Sequence, residues 1–186
     1  MQISAKTDYA LRALCVLATA PEGAAVKAVD IAAAQEIPQA FLETILVDLR
    51  RAGLVHSRRG PGGGHRLGKP SFAIVLADVV RAMDGPLALV HGHRPESLAY
   101  AGSARHLQDV WVAVRAGLRA VLENTTLEQV VQGRLPEQVT AFCDSTRSWT
   151  SVWPPPVPDP TPDLPTPDLP TPDLPTPEPT LTRPDA

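Results

Sequence analysis

The residues with the most chemistry to offer are concentrated between Arg50 and Leu67, RRAGLVHSRRGPGGGHRL. Four glycines and one proline fall within Gly60–Gly64, with Arg58 and Arg59 before them and Arg66 after. Glycine permits positive φ and a close backbone approach, and proline fixes φ at about −65°. The run therefore predicts a tight turn between two short extended segments, the first spanning Leu54 to Arg58. Arginines neutralise phosphates and reach into grooves, so this basic hairpin points to nucleic-acid contact rather than to a reaction. Enzyme chemistry is poorly supplied. Gly63–Lys69, GGHRLGK, satisfies the first seven positions of a phosphate-binding loop pattern. The eighth is Pro70 where Ser or Thr would hold magnesium, and no strand-then-helix order surrounds it. No Ser/His/Asp grouping, HExxH run or paired carboxylates form a recognisable motif, so the chain is expected not to be an enzyme.

The formal charge of −3 over 186 residues hides an asymmetry. Residues 1–70 carry nine Lys/Arg against six Asp/Glu, whereas residues 154–186 carry six acids against one arginine. A mildly basic head with an acidic tail keeps a nucleic-acid partner open despite the negative total. Cys15 and Cys143 lie far apart in no paired motif, which predicts a reducing, cytoplasmic setting without disulfides. No apolar run is long enough to span a bilayer.

The elements that would position the hairpin follow from apolar spacing. Residues 7–20 place Ala10, Leu11, Ala13, Leu14, Leu17 and Ala18 on one helical face, with Thr7 or Asp8 as cap. A short helix over Asp30–Glu36, capped by Asp30, is interrupted at Ile37-Pro38. From Gln39 to Ala52, Phe41, Leu42, Ile45, Leu46 and Leu49 share a face, while Gln39, Ala40, Glu43, Thr44 and Val47 lie away from it or at its margin. Two helices joined by a tight turn and followed by a Gly-rich basic hairpin is the order of a winged helix-turn-helix. The N-terminal residues of its second helix would face base edges. Gln39, Ala40, Glu43 and Thr44 are the candidate readers, and Arg58, Arg59, Gly62, Gly63, His65 and Arg66 form the candidate wing contacts. Lys6 and Arg12 are further candidates for phosphate, Arg12 equally for a structural ion pair.

Ser71–Met83 predicts another helix, and Leu87–Val90 a small strand or core segment. Residues 91–104 are loop-like. From about Ala104 to Glu123, Leu107, Val110, Trp111, Val114, Leu118, Val121 and Leu122 follow i, i+3, i+4, i+7 spacing. So continuous a stripe predicts pairing with a second copy, which would set two reading helices on successive half-sites. A short helix is expected over Thr126–Val131. The expected organisation is a DNA-binding domain at 1–85, a loop and dimerisation helix at 86–135, a weakly defined stretch at 136–153, and an extended tail at 154–186. That tail holds 14 of the 21 prolines and repeats PTPDL at 160, 165 and 170. Its composition predicts an acidic, disordered segment with no assigned partner. The fold class is thus mainly α with a small β-wing.

Several separate blocks, in order, resemble the Rrf-two (Rrf2) family of transcriptional regulators: ISAKTDYALRALCVLA, FLETILVDLRRAGLVHSRRGPGGGHRL, ADVVRAMDGP and VWVAVRAGLRAVLENTTLEQVV. The resemblance covers about residues 1–133. It implies a homodimeric winged-helix repressor or activator whose long helix is the dimer element. The expected partners are double-stranded DNA, at a palindromic operator, and a second copy of the chain. IscR-type and NsrR-type members hold an iron–sulfur cluster with three cysteines in the loop before that helix; CymR-type members bind none. Here the corresponding loop, His91 to Arg105, has no cysteine. His91, His93 and His106 are nearby, and Asp8 matches an aspartate ligand of NsrR-type members. The expected cofactor is none, with a sensor carrying a non-standard cluster or metal site as the alternative. An adaptor acting through the Pro-rich tail is the further alternative. Members commonly have Tyr after the glycine run, where this chain has His65, which predicts pH-sensitive wing contact.

Overall fold

The computed structural model describes residues 3–21, 23–60, 62–144 and 148–150. The repeat segment from 154 lies outside them. Two units divide the chain, Met1–Trp149 and Thr150–Ala186, and every described helix and strand lies in the first. Seven α-helices and one two-stranded hairpin make it up: α1 (Ala5–Thr19), α2 (Ala28–Gln35), α3 (Gln39–Arg51), β1 (Val55–Arg58), β2 (Gly64–Leu67), α4 (Leu76–Asp84), α5 (Leu107–Leu122), α6 (Leu127–Gln132) and α7 (Glu137–Cys143). No helix among the described residues is long and apolar enough to cross a membrane.

The core forms where α1, α2 and α3 meet. Ala10, Ala13, Leu14 and Leu17 of α1 close over Ile31 of α2 and over Leu42, Ile45, Leu46 and Leu49 of α3. Leu54, Val55, Ile74, Val79 and Leu127 complete the cluster. Burying each Leu or Ile side chain contributes roughly 1.5–3 kcal/mol before entropic costs. Phe41, expected on the buried face of α3, is 46% exposed. It sits a quarter turn from the centre of the Leu42/Ile45/Leu46/Leu49 stripe and meets Tyr9 edge-on, with centroids 5.8 Å apart at 84°.

Helix starts differ from the sequence reading. Helix α1 is capped by Ser4, whose hydroxyl accepts from the Thr7 amide at 3.1 Å. Thr7, expected as a cap, is fully buried inside the helix and donates its hydroxyl to Asp84 at 2.7 Å. Asp84 also accepts from the Ser4 hydroxyl at 2.5 Å and the Ser4 amide at 3.2 Å. An acceptor 80 residues away thus engages both the cap residue and the first buried residue of α1. Helix α2 starts at Ala28, so Asp30 lies in its first turn, where a carboxylate interacts favourably with the positive end of the helix dipole, rather than at the cap. Glu36, with φ 52°, closes α2 in the left-handed region, and Pro38 precedes α3.

The helix expected over Ser71–Met83 is broken. Ser71–Ala73 forms a single 3-10 turn after Pro70, and α4 begins only at Leu76. Between them, β-branched Ile74 and Val75 are extended and pair with the segment before α6. The Leu76 amide donates to the Thr125 carbonyl at 2.9 Å, and the Leu127 amide to the Ile74 carbonyl at 2.8 Å. Leu87 is buried against Ala77 and Val80, while the rest of its run makes no strand beyond a Val90–His93 bridge. Helix α6 carries a capping box between Thr126 and Gln129.

Burial works against ionisation of Asp84, but hydrogen bonds from Ser4 and Thr7 outweigh it and hold its carboxyl below the ordinary range. The unfolded chain therefore binds that proton more readily. The stabilisation is present above the unfolded carboxylate value and is lost as pH falls through the lower folded one. Replacing Asp84 by Asn is expected to cost about 1 kcal/mol at pH 7. In urea unfolding at pH 7 and at a pH well below the ordinary carboxylate value, the gap between the two proteins should shrink at the lower pH; an equal gap at both contradicts this role.

Candidate nucleic-acid interface

Helix α3 turns Leu42, Ile45, Leu46 and Leu49 inward, and the opposite face follows from the same periodicity. Gln39, Ala40, Glu43 and Thr44 are all exposed there. The Gln39 amide donates to Glu43 at 3.1 Å, and the Thr44 hydroxyl to the Ala40 carbonyl at 3.4 Å. The face continues through Val47, 37% exposed, and Arg50. Those two were not among the candidate readers, although they continue from Glu43 by four and seven residues.

The hairpin follows α3 directly. Its register pairs Val55 with Leu67, His56 with Arg66, Ser57 with His65 and Arg58 with Gly64. Side chains alternate across a strand, so the wing has two different faces. Ser57 and His65 turn toward α3, where they line a cleft of about 210 Å³ with Glu43, Leu46, Val47 and Arg50. His56, Arg58 and Arg66 share the other face, in a cleft of about 580 Å³ against Gly23–Ala25. Sequence reasoning grouped Arg58, His65 and Arg66 as one surface; the pleat separates His65 from the two arginines. Arg59 lies exposed beyond the end of β1.

Two backbone hydrogen bonds fix the wing to the body. The Val26 amide donates to the His65 carbonyl at 2.9 Å, and the His65 amide to the Val26 carbonyl at 2.8 Å. The neighbouring Gly64 makes this possible, since a Cβ there would sit 2.6 Å from the Val26 oxygen. At the turn, the Gly63 amide donates to the Gly60 carbonyl at 2.8 Å, and Gly62 takes φ 73°.

Lys6 and Arg12 are engaged within the body. Lys6 pairs with Asp48 of α3 at 2.8 Å. Arg12 reaches Asp8 at 3.4 Å and the Gln35 side chain at 3.3 Å, and lies over the Tyr9 ring at 5.3 Å. Both brace α1 against its neighbours.

The long helix α5 carries its stripe outward. Leu107, Val110 and Val114 are 37%, 50% and 39% exposed. Trp111, Leu118, Val121 and Leu122 are half-buried, and no residue of α5 is fully buried.

Among the described residues no three His, Cys, Asp or Glu side chains converge to hold a metal ion. Asp8 pairs with Arg12, His106 lies 3.3 Å from Asp109, and His91 and His93 sit on a turn closed by the Val90–His93 bridge. Cys15 is half-buried on α1, where burial raises its thiol pKa and disfavours the thiolate. Clusters are held by thiolates, and the loop before α5 supplies none. The residues present do not fit a cluster.

Burial, and secondarily the charge of Arg50, lowers the pKa of His65, whose Nδ1 is 3.0 Å from the Ser57 hydroxyl. The imidazole is thus held neutral at neutral pH. The unfolded chain takes up this proton more readily, so stability is retained above the ordinary histidine value and falls as pH drops through the lower folded one. DNA-affinity curves for wild type and His65→Tyr, followed from pH 8 down to pH 5, should separate only below the ordinary histidine value; curves that stay parallel down to pH 5 would rule out titration of the wing. A second expectation concerns Gly64→Ala. It should speed hydrogen exchange at the Val26 and His65 amides while leaving Leu46 and Leu49 protected. Unchanged exchange at Val26 would remove the proposed clash.

Comparison with known proteins places these features together. The family model Rrf2, described as an iron-dependent transcriptional regulator, matches residues 3–133. A relative from Mycobacterium tuberculosis named as an HTH-type transcriptional regulator is 49% identical over 151 residues, spanning 81% of this chain and 94% of the relative. The HTH-type transcriptional regulator IscR of Cereibacter sphaeroides is 32% identical over 139 residues, spanning 73% and 90%. Among solved structures, the global cysteine regulator CymR of B. subtilis superposes with a TM-score of 0.62 at 32% identity, covering 72% of this chain and 98% of that one.

Proposed function

The chain belongs to the Rrf2 family of transcriptional regulators, and from that premise we propose that it binds DNA as a homodimer through α3 and the basic wing. The observation that carries this reading is the continuous exposed face of Gln39, Ala40, Glu43 and Thr44, extended by Val47 and Arg50, beside a wing hydrogen-bonded to the same body. In this reading α3 enters the major groove, where Gln39 and Glu43 meet base edges and the small Ala40 and Thr44 make room for thymine methyls. Arg58, Arg59 and Arg66 engage phosphates or the adjacent minor groove, and Gly62 and Gly63 keep the tip thin enough to approach it. The domain at 1–85 does the reading, and the segment at 86–135 brings two copies together.

Dimerisation is supported by the exposed stripe of α5. Leu107, Val110, Trp111, Val114, Leu118, Val121 and Leu122 leave apolar area that an antiparallel second copy would cover. Two-fold symmetry then makes the preferred operator palindromic, with repression by occlusion as its simplest outcome. The cofactor-free CymR-type arrangement suits the donor set better than an iron-dependent one.

Two measurements test this reading. Arg59→Ala should weaken binding to specific and non-specific DNA alike, and lower the slope of log affinity against log salt by about one. An unchanged slope removes Arg59 from the phosphate contacts. Val110→Glu, a change at a half-exposed position, should leave the fold intact and give a monomer in sedimentation equilibrium. A dimer that persists would place the interface elsewhere.

A further inference from the structure

A second cluster of arginines lies apart from the DNA-facing surface. Arg81 of α4, Arg94 and Glu96 of the loop before α5, and Arg115, Arg119 and Glu123 on and just after α5 line a cleft of about 440 Å³. Four guanidinium groups face two carboxylates there. Asp78 adds one more at 3.5 Å from Arg81 without lining the cleft, so the balance stays positive.

The guanidiniums are unevenly satisfied. Glu123 is shared by Arg81 and by Arg119, the latter at 3.0 Å. Arg115 is only 16% exposed, and one of its Nη atoms serves both oxygens of Glu96 at 2.5 Å. Its Nε is buried with no hydrogen-bond partner. A buried donor left unpaired is costly, and arginine binds carboxylate or phosphate best through two parallel donors. Arg94 donates no side-chain hydrogen bond to a described residue, although its charge acts on Glu96. Glu96 is half exposed on a one-turn 3-10 segment, Pro95–Ser97, and is the partner best able to swing aside.

We propose that this cleft binds a small dianion, a phosphate group or a pair of carboxylates, which displaces Glu96 from Arg115 and is held by Arg115 and Arg94. The incoming group takes the Nε and Nη donors of Arg115 as a fork, which Glu96 fails to do. Excess positive charge in a partly enclosed cleft selects a doubly charged ligand over chloride. Glu96 belongs to the loop that leads into α5, so occupancy shifts the segment that carries the dimer stripe. That last link to DNA rests on the function proposed above; binding of the dianion does not.

The test uses the full chain without DNA, by calorimetric titration with inorganic phosphate and separately with succinate, ionic strength held constant with sodium chloride. Saturable binding of at least one dianion is expected; phosphate alone would mark a phosphate ligand, succinate alone a dicarboxylate. Arg115→Lys, which keeps the charge but loses the fork, should weaken binding about tenfold or more. Arg94→Ala, at a side chain with no hydrogen bond to lose, should do the same without affecting folding. Arg134→Ala, outside the cleft, should bind as wild type. Absence of saturable binding by both dianions, or binding that survives either cleft substitution, overturns the proposal.

Discussion

The arrangement of α3 and the hairpin that follows it depends on one close approach of backbone to backbone. Val26 and His65 exchange two hydrogen bonds, of 2.9 and 2.8 Å, across a gap that only a glycine at position 64 allows. Val26 lies two residues before α2, which leads through Glu36 and Pro38 into α3. The wing is thereby tied at its second strand to the entry of the helix-turn-helix. Its first strand is tied through the turn after α3, where the Leu54 amide donates to the Leu49 carbonyl at 2.9 Å. The hairpin is thus hydrogen-bonded to the helix-turn-helix at both of its strands.

These ties fix which way the exposed residues of the hairpin face. The pleat turns Ser57 and His65 toward α3, beside Val47 and Arg50, and turns His56, Arg58 and Arg66 away. A surface organised this way can meet a duplex on two sides, with the helix in one groove and the arginines on the flanking backbone. Lys6 and Asp48 hold α1 against α3 from behind, and Asp84 locks the start of α1 to the end of α4. These polar ties are short-range, but they join segments up to 80 residues apart and keep the helices in one relative orientation.

What the sequence could reveal follows the range of the interactions involved. The stripe on α3 was legible because four leucine and isoleucine side chains recur at helical spacing, and the wing because glycine and proline dictate a turn locally. The start of α1 was misplaced because Ser4 is selected as cap partly by Asp84, which no local pattern announces. The break at Ile74-Val75 was missed for the same reason: their partners are at 125–127. Phe41 shows the limit of periodicity at the margin of a stripe, where an aromatic contact with Tyr9 replaces full burial. Arg12 was already open to an ion-pair role, and Asp8 stands four residues before it, whereas the Asp48 partner of Lys6 is revealed only by the packing of α1 on α3.

The most direct test of the central claim is selection of genomic DNA fragments by the full chain, followed by footprinting on the tightest fragment. Two protected half-sites related by a two-fold axis are expected, with centres about one helical turn (about 10 bp) or a whole multiple apart. Major-groove contacts should lie within each half-site, and minor-groove or phosphate contacts beside it. Protection of a single unpaired site, or equal retention of all fragments, would contradict a dimer that reads DNA through α3 and its wing.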